Sequence, residues 1–420
     1  MSDTDERSAV PATPLRYRLQ QLLGSVLGKR FDRVLAGITD GQLTLTWPDG
    51  SATRHGTHST EPGHDAHIVL HNFRPVRQMM LNGEVGFAES YLRGDWSADN
   101  LVDLFELVMR NETAIADATS GSRLARTLNT VRHALNRNSE RGSRRNIAFH
   151  YDLGNEFYRL WLDPGMNYSS ALFEREGASL SEAQEAKLER VAELVAPEPG
   201  ARVLEIGCGW GAMAHRLATT RGSHVSGISL SDEQLAWARE RHAVASGERG
   251  GSTEFLHRDY RLVEGRYDHV VSIEMFEAVG ECYWNTYFAK LAGLLEHGGT
   301  AVLQVITILE ERFETYRSSP DFIQRYIFPG GMLPSRTHLA ELAERAGFDL
   351  VRTEWFGTSY AQTLERWRER FEQVSREVRA QGFDERFVRM WRYYLAYCEA
   401  GFRHGSTDVG LLVLRRRAAA

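Results

Sequence analysis

Short apolar runs alternate with amphipathic stretches through residues 180–306, and each change of pattern marks a predicted element. After a first strand that ends at Glu205, apolar runs predict strands at 224–228, 254–257, 267–272 and 300–306. Apolar positions at helical spacing predict helices at 180–194, 212–219 and 233–246. This alternation predicts an α/β fold with a mainly parallel, doubly wound sheet, whose ligands bind at the carboxyl ends of the strands.

A different pattern precedes this region. Residues 42–47 alternate apolar and polar side chains, and Pro48, Asp49 and Gly50 form a predicted hairpin turn before a strand at 51–55. Other predicted elements are a strand at 67–70 and helices at 15–27, 75–82 and 101–111. The aromatic residues of 87–96 are interpreted as core packing. We therefore expect a small α+β domain ahead of the parallel sheet.

The chain beyond the last parallel strand is expected to be irregular at 312–333. Helices are predicted at 337–346, 360–380 and 384–402, with a closing strand at 409–414. A chain of 420 residues is too long for one average core. The predicted organisation is a disordered N-terminus at 1–14, an N-terminal domain at 15–121, a basic linker at 122–145 and the α/β domain at 146–420.

Composition narrows the class of protein. Hydrophobic residues make up 42% of the chain and charged residues 25%, which is ordinary for a globular protein. The net charge of −6 argues against a general nucleic-acid binder. Three widely spaced cysteines form neither a disulfide framework nor a zinc motif, so we expect a cytoplasmic protein without a metal. No apolar run approaches the ~18 residues of a membrane span, and residues 1–14 contain no signal-peptide core.

The basic linker at 122–145 carries seven arginines and a single acid, Glu140. Such a segment is either a solvated connection or a contact with an anionic lipid surface, where each basic residue contributes ~1 kcal/mol. The charge alone does not choose lipid over nucleic acid.

The glycine-rich stretch at 203–211 reads V-L-E-I-G-C-G-W-G. Glycines there allow the backbone to approach a ligand, and Glu205 can accept hydrogen bonds from a cationic amine. The spacing is neither that of a phosphate-binding P-loop nor that of the dinucleotide fingerprint. It resembles the S-adenosylmethionine loop of Rossmann-like methyltransferases. Taken alone, the stretch also fits a tight strand-to-helix connection.

Several motifs together resemble the cyclopropane-fatty-acyl-phospholipid synthase family, which includes the mycolic-acid cyclopropane synthases. The matching stretches cover about two thirds of the chain and lie at 150–155, 167–173, 203–211, 275–280, 326–334, 356–371 and 393–403. The resemblance implies a class I methyltransferase fold with an N-terminal lipid-binding domain. It also implies transfer of a methyl or methylene group from S-adenosylmethionine to the cis double bond of an unsaturated phospholipid acyl chain.

The resemblance implies a reaction in which methyl transfer leaves a carbocation that aromatic faces stabilise and a bound bicarbonate deprotonates. By position, the bicarbonate site comprises Glu277, the amide of Ile306 and Tyr360. Two positions depart from the family: Ser170 replaces its cysteine, and Gln304 replaces its histidine. Both side chains still form hydrogen bonds, but Gln304 cannot carry a positive charge. Cys398 matches a cysteine discussed as catalytic, although the reaction does not require a thiolate.

The implied cofactor residues lie at the ends of predicted strands and in the segment before the glycine loop. They are Tyr168, Ser169, Glu205, Gly207, Gly209, Gly211, Ser229, Gln234, Asp259 and Tyr260.

The product that the resemblance implies is a cyclopropane fatty acid, and three alternatives stay open at the level of sequence. If the cation is resolved differently, the same methyl transfer gives a methylene- or methyl-branched chain. A small-molecule methyltransferase would share the fold, and a catalytically impaired lipid-binding protein would fit Ser170 and Gln304. The expected partner is an unsaturated phospholipid in an anionic membrane surface, with peripheral association at the inner face of the membrane. Family members are often homodimers, whereas no nucleic-acid partner is expected.

Overall fold

The computed structural model describes residues 31–119 and 153–418, apart from residues 33, 62, 246 and 247. The predictions for the N-terminus at 1–14, the helix at 15–27 and the basic linker at 122–145 fall outside the described residues.

A four-stranded sheet organises the N-terminal domain. The elements are β1 (Gln42–Thr46), β2 (Ala52–Gly56), β3 (Asp65–Leu70), α1 (Arg74–Leu92), β4 (Trp96–Ala98), α2 (Leu101–Arg110) and α3 (Glu112–Thr119). The strand order is β2-β1-β3-β4. The predicted alternation is confirmed in β1, where Leu43 and Leu45 are buried. Helix α1 runs beyond the predicted 75–82 and is kinked at Gly83, which has a φ of 61°.

A seven-stranded sheet forms the centre of the α/β domain. Its strands are β5 (Arg202–Ile206), β6 (His224–Ser229), β7 (Ser252–His257), β8 (Tyr267–Ile273), β9 (Leu295–Ile308), β10 (Phe348–Trp355) and β11 (Thr407–Arg416). They lie in the order β10-β11-β9-β8-β5-β6-β7. Strands β5 to β9 pair in parallel with one another. Strand β11 pairs in antiparallel fashion with both of its neighbours, β9 and β10. The prediction of a mainly parallel doubly wound sheet is confirmed, and its strand order reverses between β5 and β8.

Helices cover this sheet and extend it toward the N-terminal domain. They are α4 (Asn155–Arg159), α5 (Leu180–Val195), α6 (Ala212–Arg216), α7 (Asp232–Arg241), α8 (Trp284–Leu294), α9 (Glu310–Ser318), α10 (Phe322–Tyr326), α11 (Arg336–Arg345), α12 (Gly357–Gln373), α13 (Ser375–Ala380) and α14 (Glu385–His404). The expectation of irregular chain at 312–333 is wrong, because α9 and α10 occupy much of it. The predicted helix at 360–380 is divided into α12 and α13 at Val374.

The N-terminal domain and helix α14 share one continuous hydrophobic core. The ring of Tyr393 lies 5.6 Å from that of Tyr91 and 4.8 Å from that of Phe105. Arg389 donates hydrogen bonds to the backbone carbonyls of Tyr91 and Trp96, at 2.5 and 2.8 Å. The two predicted domains are therefore packed together through buried aromatic side chains.

Within the described part of the chain, the helices are all too short or too polar to cross a bilayer.

Candidate functional site

The glycine-rich loop folds into a tight turn at the end of β5. Gly207, Gly209 and Gly211 have positive φ values of 80°, 51° and 93°. A Cβ on Gly207 would lie 2.8 Å from Cγ of Met275, which is too close for any side chain. Gly211 caps the start of α6. The local backbone therefore favours glycine at all three positions.

A cavity of about 150 Å³ opens beside this turn, at the point where the strand order reverses. Glu205 extends from the end of β5 into its wall and is 3% exposed. Its Oε2 atom has no hydrogen-bond partner among the residues that the structure describes. Burial raises the pKa of Glu205 to about 8, and the charge of Lys187 lowers that pKa only in part. An enclosed carboxylate with a free oxygen fits a cationic amine.

Most of the predicted cofactor residues line this cavity. They are Tyr168, Ser169, Glu205, Gly207, Gly209, Ser229, Gln234 and Tyr260. Ser229 donates to the Oε1 atom of Gln234 at 2.9 Å, which places both side chains at the end of β6.

Asp259 is not brought into the cavity wall. Its carboxylate accepts hydrogen bonds from the side chain of Arg261 at 2.6 and 2.8 Å, and from the backbone amide of the same residue. The structure therefore gives Asp259 a local pairing role, and Tyr260 is the member of the predicted pair that lines the cavity.

Glu274 lies among the residues that were predicted to bind bicarbonate. No role was predicted for it from the sequence. It follows β8 directly and adopts a φ of 48°, a left-handed conformation that is uncommon for a residue with a side chain. Its Oε1 atom accepts hydrogen bonds from the amide of Ser170 at 2.8 Å and from Nε2 of Gln304 at 2.7 Å. Its Oε2 atom accepts from the hydroxyl of Tyr360 at 2.7 Å.

Glu277 lies beside Glu274 and has a different environment. The amide of Ile306 donates to its Oε1 atom at 2.5 Å, while its Oε2 atom is unpartnered among the described residues. Burial raises the pKa of Glu277 to about 8, and the neighbouring charge of Glu274 adds to this effect. Burial also raises the pKa of Glu274, but three hydrogen bonds oppose that rise. Of the two carboxyls, Glu274 is the one whose hydrogen bonds favour the ionised form more strongly, since it accepts three and Glu277 accepts one.

The predicted bicarbonate donors are thus already engaged. Ser170 contributes its amide and not its side chain, because its hydroxyl donates to the carbonyl of Ala171 at 2.9 Å. Gln304 and Tyr360 donate to Glu274 as well, and an ionised Glu274 would repel a further anion. The residues present do not fit bicarbonate. A carboxylate of the chain itself occupies the place that the sequence analysis gave to that anion.

A second cavity, of about 300 Å³, extends from Glu274 toward the N-terminal domain. Much of its wall is aromatic or apolar, and it includes Tyr168, Ile306, Phe328, Tyr360, Leu364, Tyr394 and Phe402. Tyr168 and Glu274 line this cavity and the glycine-loop cavity alike. The hydroxyls of Tyr168 and Tyr394 are 2.8 Å apart. A ligand in each cavity would meet at this shared wall.

Cys398 lines the larger cavity from helix α14. Burial raises the pKa of its thiol, and the charge of Asp321 acts in the same direction. The side chain is therefore a neutral thiol at physiological pH, which is unfavourable for a nucleophile.

Sequence reasoning missed Glu274 and Lys187. The signal for Glu274 was an acid directly after a buried strand, three residues before Glu277. The signal for Lys187 was a lysine on the apolar face of the predicted helix at 180–194, in a chain whose other basic residues are almost all arginine.

Comparisons with known proteins agree with this geometry. A family model described as mycolic acid cyclopropane synthetase matches residues 138–412. Tuberculostearic acid methyltransferase UfaA1 of Mycobacterium tuberculosis is 38% identical over 383 residues, which cover 87% of this chain and 86% of the relative. Cyclopropane-fatty-acyl-phospholipid synthase of Escherichia coli strain K12 is 35% identical over 354 residues, covering 84% of this chain and 88% of the relative.

Two solved structures resemble the α/β domain. The cyclopropane synthase MmaA2 from Mycobacterium tuberculosis is 31% identical with a TM-score of 0.60, and covers 65% of this chain and 98% of its own. The mycolic acid cyclopropane synthase CmaA1, complexed with SAH and CTAB, is 32% identical with a TM-score of 0.61 and the same coverage of both chains.

Proposed function

The chain belongs to the mycolic acid cyclopropane synthetase family, and we propose that it methylates the double bond of an unsaturated phospholipid acyl chain with Glu274 as its own base. Membership makes it an S-adenosylmethionine-dependent methyltransferase that transfers a methyl or methylene group to lipid acyl chains. The proposal adds the substrate, the base and the product. The observation that carries it is the set of three hydrogen bonds on Glu274.

The glycine-loop cavity fits the cofactor. When bound, S-adenosylmethionine supplies an electrophilic methyl group. Glu205 would hold its amine, Ser229 and Gln234 would bind the ribose hydroxyls, and Gly207 would let the backbone approach. Tyr168 stands at the wall that the two cavities share, where the methyl group must meet the alkene. An alkene is a weak nucleophile, so alignment across this wall provides much of the rate acceleration.

The aromatic wall of the larger cavity suits a cationic intermediate. Addition of the methyl group to one alkene carbon leaves a positive charge on the neighbouring carbon. Ring faces stabilise such a charge without forming a bond to it. Tyr360 packs against Phe402 with ring centroids 4.4 Å apart, and Phe328 lies 6.2 Å from Tyr394. These side chains also exclude water, which would otherwise capture the cation.

Glu274 removes the proton that ends the reaction. A proton of the new methyl group passes to the carboxylate, and the electron pair of that C–H bond stays with the lipid. The conjugate acid then returns its proton to solvent. Because a proton next to a carbocation is strongly acidic, a weak base suffices, provided that it is ionised and close.

The product that we favour is a methylene branch. Three hydrogen bonds engage the lone pairs of Glu274 and reduce its basicity toward the lipid. A cation that survives longer has time for a hydride to move from the methyl-bearing carbon to its neighbour, which gives a tertiary cation. Loss of a methyl proton then places the C–H electron pair in a double bond between the chain carbon and the former methyl carbon, which becomes a CH2 branch. The similarity to a tuberculostearic acid methyltransferase supports an outcome other than ring closure.

Cyclopropanation is the second candidate. In that case the same proton leaves before any hydride shift, and the electron pair closes a three-membered ring. The observation in its favour is the 35% identity to a cyclopropane-fatty-acyl-phospholipid synthase across most of both chains.

The lipid substrate is proposed to enter from an anionic membrane surface to which the protein binds peripherally. Helix α1 exposes 58% of Leu81 beside the kink at Gly83, and Glu84 lines the larger cavity. An exposed apolar residue that lies only three positions from a residue lining the cavity is suited to contact with a bilayer. The basic linker at 122–145 would add attraction to anionic lipids.

A lipid profile tests the proposal. The chain is expressed in a bacterium without its own cyclopropane synthase, and fatty acid methyl esters are analysed by mass spectrometry. We expect a gain of one CH2 unit with a double bond retained in the product. The same gain without a double bond would establish cyclopropanation instead. No new lipid, either in cells or with purified protein and unsaturated phospholipid vesicles, would contradict the proposal.

A further inference from the structure

Lys187 is an unusual residue for its position. It lies on helix α5, is 1% exposed, and lines the glycine-loop cavity. A buried ammonium is unfavourable unless charges or hydrogen bonds compensate for the loss of water. Burial lowers the pKa of Lys187 to about 8, and the carboxylates of Glu274, Asp163 and Glu205 oppose that fall. Helix α5 therefore places a cation among three enclosed acids.

Hydrogen bonds connect Lys187 to the segment that holds Glu274. Its Nζ atom donates to the hydroxyl of Ser169 at 3.0 Å. Gln184, one turn earlier on the same helix, donates to the carbonyl of Ser169 at 2.9 Å. The next residue, Ser170, donates its amide to Glu274. Lys187 therefore influences Glu274 in two ways: it holds the segment that donates a hydrogen bond to Glu274, and its positive charge favours the ionised carboxylate.

We propose that Lys187 is a positioning residue for methyl transfer, a fixed cation that keeps Glu274 ionised throughout the reaction. This inference rests on the proposed role of Glu274 as the base. During the transfer, the positive charge of the sulfonium leaves the glycine-loop cavity and moves onto the lipid. Lys187 remains in the wall of that cavity after the charge has moved, so Glu274 does not depend on the cofactor for a counter-charge.

The groups around both residues set the direction of the effect. Glu274 faces Glu277, Tyr360 and Gln304, of which Glu277 favours its protonation and the other two donate hydrogen bonds to its anion. Lys187 is the cation that lowers its pKa. Removal of this charge therefore raises the pKa of Glu274. Deprotonation of Lys187 at high pH leaves Glu274 ionised, so an alkaline loss of rate is not expected from this pair.

The test compares Lys187→Met with Lys187→Arg. We expect the acid limb of the pH–rate profile to move upward by at most about 1 unit in Lys187→Met, since an opposite charge within about 4–6 Å lowers a carboxyl pKa by about 1–3 units and the hydrogen bonds to Glu274 lower its pKa more than Lys187 does. On the acid side of the profile, the rate should fall by up to about 10-fold. Lys187→Arg keeps the charge and should keep the acid limb in place. Ser169→Ala removes the hydrogen bond but not the charge, so it should lower the rate without moving the limb.

An infrared titration provides a readout without turnover. The band of protonated Glu274 is assigned by its loss in Glu274→Gln, with S-adenosylhomocysteine bound. It should appear at higher pH in Lys187→Met than in the wild-type protein. Equal titration of Glu274 in both proteins would overturn the inference, as would a protonated Glu274 in the wild-type protein at the pH of maximal rate. The titration of Glu274 in the wild-type protein can be measured even if Lys187→Met does not fold.

The same titration separates this inference from the proposed function. Absence of methyl transfer by the wild-type protein would refute the proposed function, whereas the protonation state of Glu274 is measured independently of any lipid product.

Discussion

Replacement of Glu274 by glycine is the sharpest test of the base that we propose. The substitution removes the carboxylate and leaves Ser170, Gln304 and Tyr360 with donors that face an empty space. The backbone at this position tolerates the change, because a φ of 48° costs glycine nothing and costs other residues about 1–2 kcal/mol. The variant should therefore fold and bind the cofactor.

The expected loss of rate follows from the role of the group. General acid–base catalysis by a positioned side chain contributes about 10²–10⁴-fold, which corresponds to about 3–5 kcal/mol of activation free energy. Three unsatisfied donors then form a ready site for a small anion, since each would regain a hydrogen bond to a charged acceptor. Bicarbonate or formate should restore part of the activity of Glu274→Gly in a saturable manner.

The matched control is Glu274→Gln. It removes the charge but fills the same space, so added anions should not rescue it. The assay follows transfer of a labelled methyl group from S-adenosylmethionine to unsaturated phospholipid vesicles, in buffer freed of bicarbonate. Full activity of Glu274→Gly without added anion would refute the reasoning, as would equal rescue of both variants.

Three further predictions address the cofactor, the thiol and the domain contact. The pKa of Glu205 is raised to about 8, and only its ionised form attracts the amine of the cofactor. The affinity for S-adenosylhomocysteine, measured by calorimetry, should therefore rise as the pH increases through that value. The control variant Glu205→Gln should show no such rise. Burial keeps the thiol of Cys398 neutral, so the methyl-transfer rate of Cys398→Ala should stay within about 3-fold of the wild-type rate. A loss of about 100-fold in kcat would contradict this prediction. Arg389→Ala removes the side-chain hydrogen bonds to the carbonyls of Tyr91 and Trp96, although the carbonyl of Tyr91 keeps the amide of Gly94 as a donor. Denaturant titration should therefore show about 1–3 kcal/mol lower stability, whereas Arg386→Ala, at an exposed position, should change stability little.

The parallel sheet could be predicted because its central strands β5, β8 and β9 contain continuous runs of buried residues and therefore read as apolar runs. Strand β10 was missed for the opposite reason. It lies at the edge of the sheet, and most of its residues are exposed, so Phe348–Trp355 shows no apolar run. Helix α9 was missed because Glu310–Ser318 is strongly polar, with Phe313 as its one buried residue. Neither element shows the apolar run of a buried strand or the regularly spaced apolar residues of a helix with a buried face.

The candidate site could be predicted in its parts but not in its central interaction. Motif positions placed Glu277, Ile306 and Tyr360 together, and the structure brings them to one cavity. The role of Glu274 depends on a backbone φ and on donors from three separate segments of the chain. No local pattern encodes either, so the sequence suggested an external anion where the fold supplies an internal one.

The left-handed backbone at Glu274 has a consequence for how such enzymes diverge. Codons for glutamate and glycine differ by a single nucleotide, and a φ of 48° accepts glycine without any adjustment of the neighbouring chain. If Glu274 is the base as proposed, an enzyme that carries its own base and one that recruits an anion from solution would thus be separated by one mutational step.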